Sequence, residues 1–216
     1  MLEYLLSLAI IALVWSLLVQ SYNLSFGLTG LFNLGHIVFY GVGAYTAAIL
    51  NTKYGFNFFV NIPLAALIAG SLAAFFGLVT LRLSGHYLAI ATLGAAMIAQ
   101  VVATNWMALT NGPLGIRGIE DPILGGFNFD TSWRIFALYA GMTIICHFLL
   151  WKIFNSPFGR LQRAIQDDEI AVQSLGKNTF QAKAWSLIIS GAFAGVAGAL
   201  YVHYRLFLDP TIFALP

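Results

Sequence analysis

Charge is scarce in this 216-residue sequence: Asp, Glu, Lys and Arg make up only 8%, against 60% hydrophobic residues. A soluble domain carries about 25% charged residues, so the composition excludes an ordinary soluble enzyme, and the high hydrophobicity excludes disorder. A net charge of +2 leaves no basic face for nucleic acid. The apolar runs lack the alternation of a β-barrel. The sequence therefore predicts an all-α, polytopic helical membrane protein.

Signatures of catalysis and metal binding are also lacking. Gly176-Lys177 has no glycine five residues upstream, so the phosphate-binding loop pattern fails. The single cysteine, Cys146, cannot form an intramolecular disulfide. The histidines are too scattered to form a metal site; they are His36, His86, His147 and His203. We therefore predict no catalytic residue, no metal and no cofactor in this chain.

Six apolar stretches approach the length of about 20 residues that a membrane span needs. They lie at about Leu2–Val19, Leu34–Leu50, Ile62–Leu81, Tyr87–Thr104, Trp133–Phe154 and Ala184–Tyr204. The first has no preceding Lys or Arg and no clear cleavage site, so we expect a retained span. Pro63 suits the first turn of the third helix. The spans form one predicted domain over residues 1–216, and the Gly191/Gly195 spacing predicts close helix packing.

The connections between these spans differ in character. Residues 105–132 form a glycine-rich loop, and residues 155–183 carry the most charge. Basic residues near the span ends divide six against four: Arg82, Lys152, Arg160, Arg163, Lys177 and Lys183 against Lys53, Arg117, Arg134 and Arg205. This excess favours a cytoplasmic 155–183 loop, an external 105–132 loop and an outside N-terminus. The polar Ser21–Asn33 segment is a candidate re-entrant segment.

Acidic residues are absent from the predicted spans, apart from Glu3 at the start of the first. Ion-coupled carriers usually keep a carboxylate inside the membrane, so we expect an energy source outside this chain. His36 is either a hydrogen-bonded packing residue or part of a cavity lining. The candidate lining of a solute pathway comprises Asn33, His36, Thr110, Asn111 and Gly112.

The charged 155–183 loop contains a further helical pattern. Pro157 and Gly159 interrupt the helix of the fifth span, acidic residues 167–169 favour a new start, and Gly176 favours its end. We therefore expect one short amphipathic helix over Asp167–Gly176, on the cytoplasmic face. This helix is either a solvated connector or a docking helix that a cytoplasmic protein holds in a groove.

A family resemblance is carried by four stretches of this sequence. They are FGLTGLFNLGHIVFYGVGAYTAA (26–48), SGHYLAIATLG (84–94), NWMALTNGPLGIRGI (105–119) and SPFGRLQRAIQDDEIAVQSLG (156–176). In this order they resemble the M-type integral-membrane permease subunits of bacterial branched-chain amino-acid ABC importers. Members of that family generally continue with further spans after a segment like FLDPTIFALP (207–216), so the resemblance implies that the C-terminal spans are lacking here.

The resemblance implies a coupling helix that binds in a cleft of the ATPase through an EAA-xxx-G pattern. Glu169, Ala171, Val172 and Gly176 occupy the comparable positions, with valine for the second alanine and the acid displaced by one. The candidate ATPase-coupling residues are Arg160, Arg163, Asp168, Glu169, Ala171, Val172 and Gly176.

The resemblance also implies a function, a location and partners. The chain would be a multi-pass permease of the bacterial inner membrane for branched-chain or related small amino acids, or for urea or amides. Its partners would be ABC ATPase subunits that bind ATP and Mg²⁺, a second permease subunit, a periplasmic or extracellular solute-binding protein and membrane lipid, with no nucleic acid. An ion-gradient-driven carrier or channel for a small polar solute, and a non-transport scaffold, remain open alternatives.

Overall fold

The computed structural model describes residues 1–83, 85–124, 127–128 and 131–213. Its α-helices are α1 (Leu2–Ser25), α2 (His36–Tyr54), α3 (Phe58–Thr80), α4 (His86–Asn105), α5 (Met107–Thr110), α6 (Ser132–Asn155), α7 (Pro157–Asp167), α8 (Glu169–Ser174) and α9 (Thr179–Arg205). Two 3₁₀ helices cover Gly112–Leu114 and Pro210–Phe213. Strands β1 (Ile116–Arg117) and β4 (Phe207–Leu208) pair antiparallel, as do β2 (Ile123–Leu124) and β3 (Phe127–Asn128). The predicted helical class is confirmed.

Each of the six predicted spans coincides with one long helix. Five of these helices are long and apolar enough to cross a membrane: α1, α3, α4, α6 and α9. The remaining helix, α2, carries glycine, threonine, asparagine and lysine among its apolar residues and is largely buried against its neighbours. The structure therefore confirms a polytopic helical membrane protein.

Several helix boundaries differ from the sequence prediction, and two of the differences have a local cause. The third helix begins at Phe58, so Pro63 lies inside α3 rather than in its first turn. The Asn57 side chain accepts a hydrogen bond from the Phe59 N–H at 3.4 Å and caps this earlier start. The first helix continues to Ser25, because serines such as Ser21 satisfy their hydroxyls on carbonyls of the preceding turn.

Helix α9 lies at the centre of the bundle and packs against α1, α2 and α3. Glycines allow its backbone to touch its neighbours: a Cβ atom on Gly43 of α2 would lie 2.3 Å from the Gly195 Cα atom. A Cβ atom on Gly198 would lie 2.0 Å from the Tyr40 carbonyl oxygen, and one on Gly191 would lie 2.6 Å from the Ala73 Cβ atom. The close packing predicted from the small residues is confirmed.

The connections gather at two ends of the bundle. One end, here called the hairpin end after the α7–α8 pair, contains residues 26–35, 81–83, 85 and 156–178. Thr29 and Ser186 are joined there by a hydroxyl–hydroxyl bond of 2.7 Å. The other end, here called the loop end, contains residues 55–57, the described part of 106–131, and 206–208. There Lys53 donates to the Ala108 carbonyl at 2.9 Å. Gly125 and Gly126 of the glycine-rich loop, Ser84, and residues 214–216 lie outside the described residues.

The glycine contacts predict a sharp difference between two Gly→Ala substitutions. Gly198→Ala should lower the free energy of unfolding by about 1–3 kcal/mol, because its methyl group overlaps the backbone of α2. Gly141→Ala in α6 meets no atom within 4 Å and should raise it by up to about 1 kcal/mol through helix propensity. Thermal unfolding of both variants in one detergent measures the difference. Equal stability of the two would contradict the backbone contact.

Candidate functional site

The charged segment between α6 and α9 folds as two helices, α7 and α8, which form a hairpin. The short helix predicted over Asp167–Gly176 is present as α8, which begins and ends two residues inside those bounds. The structure adds α7 before it, which the sequence analysis did not predict. Asp168 separates the two with an extended backbone, and its carboxylate accepts the Ala171 N–H at 3.0 Å. A short acidic side chain satisfies a free N–H better as a cap than inside a helix, which explains the break.

The predicted break after the fifth span is confirmed. Pro157 is the first residue of α7, where its missing N–H costs nothing. A Cβ atom on Gly159 would lie 2.2 Å from the Phe154 carbonyl oxygen, so only glycine permits this close turn. Arg163 donates to that carbonyl at 3.1 Å and so connects α7 to the end of α6. Both Arg163 and Arg160 are exposed.

A small apolar cluster holds the hairpin against α9. Val172 of α8, Ile165 of α7 and Ala182 of α9 are buried together, with Leu161 packed beside them. The fully buried Gln162 donates to the Ala182 carbonyl at 2.7 Å. Val172 therefore packs inside the hairpin and does not face outward.

Glu169 also points back towards α9. Its carboxylate accepts a hydrogen bond from Lys183 Nζ at 2.5 Å, and the two side chains are 37% and 19% exposed. Burial alone raises the pKa of Glu169, but hydrogen bonds from Lys183 and Thr179 and the charge of Lys183 outweigh it, so the pKa lies below its ordinary value. This ion pair fixes α8 relative to α9.

Helix α8 and the residue after it expose large apolar side chains. Ile170 and Leu175 are 75% and 79% exposed, and Ala171 lies exposed between them in sequence. Gly176 ends this exposed segment in a left-handed conformation, with a φ of +75° and open space around it. Sequence reasoning did not include Ile170 and Leu175 among the coupling residues. The sequence feature that could have identified them is the presence of two large apolar residues within the most charged segment of the chain.

The first predicted pathway set lies at the hairpin end. His36 is buried and its Nε2 atom lies 2.9 Å from the Ser21 hydroxyl, while its buried Nδ1 atom has no partner among the described residues. The Asn33 side chain accepts the Gly35 N–H at 2.9 Å. Beside Asn33 and Thr92 lies a cavity of about 10 Å³, enough for about one water molecule.

The second predicted pathway set lies at the opposite, loop end. The Thr110 hydroxyl donates to the Ala103 carbonyl at 2.7 Å, and Asn111 donates to the Gly115 carbonyl at 2.8 Å. A Cβ atom on Gly112 would overlap the Met107 sulfur atom, at 2.3 Å. Asn111 also lines a cavity of about 220 Å³. The structure does not bring the two predicted sets together.

After α9 the chain reverses and runs back beside α2. Leu206 has a left-handed φ of +54°, which is uncommon outside glycine. Strand β4 then pairs with β1, and further along Phe213 stacks on Tyr45 with ring centroids 5.7 Å apart. A Cβ atom on Gly41 would lie 2.1 Å from the Phe213 ring. Residues 207–213, here called the return segment, therefore extend to the level of the middle of α2.

The return segment closes one side of a cavity of about 280 Å³. Trp15, Tyr40 and Tyr201 form aromatic walls, and Arg205 and Asp209 bring charge to it. Sequence reasoning missed both charged residues, because nothing local to FLDPTIF shows that this segment folds back into the bundle.

Comparison with known proteins identifies the family. The family model described as the branched-chain amino acid transport system / permease component matches residues 4–216. The chain belongs to this family. The resemblance drawn from the four sequence stretches is therefore confirmed.

The curated relatives of the chain are longer proteins. The chain is 34% identical over 229 residues to the high-affinity branched-chain amino acid transport system permease protein LivM of Salmonella typhimurium. Its identity to the LivM protein of Escherichia coli is the same over the same length. Both alignments cover 95% of this chain and 54% of the relative. The guanosine ABC transporter permease protein NupQ of Bacillus subtilis is 26% identical over 190 residues, which cover 80% of this chain and 59% of the relative. The chain thus spans about half the length of the curated relatives it matches. No solved structure matches it.

The Glu169–Lys183 pair predicts that the attachment of α8 to α9 depends on pH. Because the pKa of Glu169 is lowered in the fold, the pair stabilises the hairpin above the ordinary carboxyl pKa and is lost as the pH falls through the lowered value. A spin label at Ser174→Cys, in a Cys146→Ala background, should be more mobile in Glu169→Gln than in the parent at pH 7. That difference should vanish at low pH.

The neighbouring exposed acid provides the control for this measurement. Asp167→Asn removes a carboxylate from the same segment without touching the pair, and should leave the label mobility at pH 7 unchanged. Equal mobility of Glu169→Gln and its parent at pH 7 would show that the ion pair does not hold α8.

Proposed function

We propose that this chain is a transmembrane permease subunit of an ABC importer for branched-chain or related small amino acids, located in the bacterial inner membrane. The observation that carries the proposal is the α7–α8 hairpin, which presents exposed Ile170 and Leu175 at one end of a bundle that belongs to a permease family. Large apolar side chains at a charged surface favour a protein partner.

The hairpin suits the transmission of a movement. Its outer residues Ile170, Ala171 and Leu175 would bind in a groove of a cytoplasmic ATPase, as helix-in-groove recognition requires. Its inner residues Val172 and Glu169 fix it to α9 by packing and by an ion pair. A displacement of the hairpin would therefore displace α9 and shift the bundle between two access states.

The chain would contribute no catalytic residue to this cycle. ATP and Mg²⁺ would be bound by the partner ATPase subunits, and a second permease subunit would complete the pathway through the membrane. A periplasmic or extracellular binding protein would deliver the solute at the loop end, opposite the hairpin. Surrounding lipid would cover the apolar exteriors of α4 and α6, where residues such as Ile98 and Ile144 are exposed.

A nucleoside is the second candidate solute, because one relative is named as a guanosine permease. Two curated relatives with higher identity carry a branched-chain amino-acid name, which favours the amino-acid proposal. An ion-gradient-driven carrier receives no support from these relatives.

The exposed apolar face provides the test of ATPase docking. The double variant Ile170→Asp/Leu175→Asp should reduce co-purification of the ATPase by roughly tenfold or more, since buried apolar anchors dominate such interfaces. ATP-dependent leucine uptake should fall with it, while thermal stability stays close to that of the parent, because both side chains are exposed. Purification in mild detergent with mass spectrometry measures the partners.

A control variant removes a similarly large, exposed apolar residue from the other end of the bundle. Leu114→Asp changes a residue that is 64% exposed at the loop end and should leave the ATPase bound. Retention of the ATPase by the double variant, or absence of any ATPase from the parent preparation, would overturn the proposal.

A further inference from the structure

We propose that the cavity between α1, α2, α9 and the return segment binds a zwitterionic amino acid, with Arg205 receiving the α-carboxylate and Asp209 the α-ammonium group. The two charges line the same cavity of about 280 Å³. The identity of the solute as an amino acid rests on the function proposed above, whereas the preference for a zwitterion rests on these two side chains.

The two charged side chains have unused hydrogen-bonding capacity. Among the described residues the only ion pair joins Lys183 and Glu169, so Arg205 and Asp209 do not neutralise each other directly. Asp209 Oδ1 accepts the Thr211 N–H at 3.0 Å and the Thr211 hydroxyl at 2.5 Å, which fixes the carboxylate. Its Oδ2 atom has no protein donor within the described ranges, and neither has the Arg205 guanidinium an acceptor there.

Opposite charges that share one cavity match the two ends of an amino acid. A guanidinium binds a carboxylate through two parallel hydrogen bonds, and a carboxylate accepts from an ammonium group. An amino acid supplies both partners from one carbon atom and leaves no net charge in the cavity. An uncharged nucleoside would leave Arg205 and Asp209 unsatisfied.

The return segment brings a partly buried carboxylate into this cavity, whereas Arg205 is exposed at the end of α9. Phe213 stacks on Tyr45 near the middle of α2, and Asp209 lines the cavity together with Tyr40 of the same helix. Irregular backbone at membrane depth is tolerated where it is buried or lines a cavity, and charged groups there are costly unless they are paired. A bound zwitterion would supply an ammonium group to the partly buried Asp209 and a carboxylate to the exposed Arg205.

The remaining walls suit an apolar side chain. Trp15 and Tyr40 have ring centroids 6.2 Å apart, and Tyr40 and Tyr201 have centroids 5.8 Å apart. Ile37 and Ile212 add aliphatic surface. The volume lies near the lower limit of small-molecule pockets, about 300–1,000 Å³, so a single small amino acid is an appropriate occupant.

Binding of tritiated L-leucine to the full chain in nanodiscs tests this site. Competition uses 4-methylpentanoate, which lacks the ammonium group, leucine amide, which lacks the carboxylate, and guanosine. Asp209→Asn should weaken leucine roughly tenfold or more and 4-methylpentanoate little. Arg205→Gln should weaken leucine to a similar extent, roughly tenfold, and leucine amide little. Arg134→Gln and Asp121→Asn remove exposed charges outside the cavity and should change neither ligand.

The pattern of selectivity separates binding from mere loss of structure. If each variant weakens leucine and both analogues by the same factor, if guanosine competes as well as leucine, or if the parent binds no leucine, the site is overturned. ATPase co-purification from the same membranes is scored separately. A retained ATPase without charge-selective leucine binding overturns this site alone, and charge-selective binding without an ATPase overturns the importer proposal alone.

Discussion

The contact of the α9 backbone with α2 and α3 is the constraint on which the rest of the structure depends. Gly195 faces Gly43 on one side and Ala69 on the other, and no side chain longer than a methyl group separates the three helices there. In a membrane, apolar burial does not drive helices together, so close van der Waals packing of this kind must hold them. Such a contact has little room to compress.

Helix α9 consequently links the two ends of the bundle as one element. At the hairpin end, Lys183 and Ala182 hold α8 and α7, and at the loop end Tyr201 and Arg205 line the 280 Å³ cavity. A force on the hairpin therefore reaches the cavity without passing through a flexible loop. A solute that binds one position of Arg205 better than another would, by the same connection, bias the position of the hairpin.

The sequence was sufficient to predict the long helices, because the length of an apolar run is set by the thickness of the bilayer and not by contacts with a particular neighbouring helix. It also predicted the break at Pro157, because the effect of a proline on a helix is local. It placed a helix start at the acidic residues 167–169, but it did not predict α7 before them. It also did not predict that Val172 would face inward, since that depends on how the hairpin packs on α9. The return segment was beyond sequence reasoning, because the turn at Leu206 and the pairing of β4 with β1 are non-local.

The return segment also changes one argument about the energy source. The absence of carboxylates from the spans argued against an ion-coupled carrier, yet Asp209 lines a cavity together with Tyr40 of α2. The importer proposal therefore relies on the hairpin and on family membership. The environment of Asp209 points the same way: Thr211 holds one oxygen with two donors, and Arg205 brings the opposite charge to the same cavity. That arrangement suits retention of a solute with two opposite charges better than passage of a single ion.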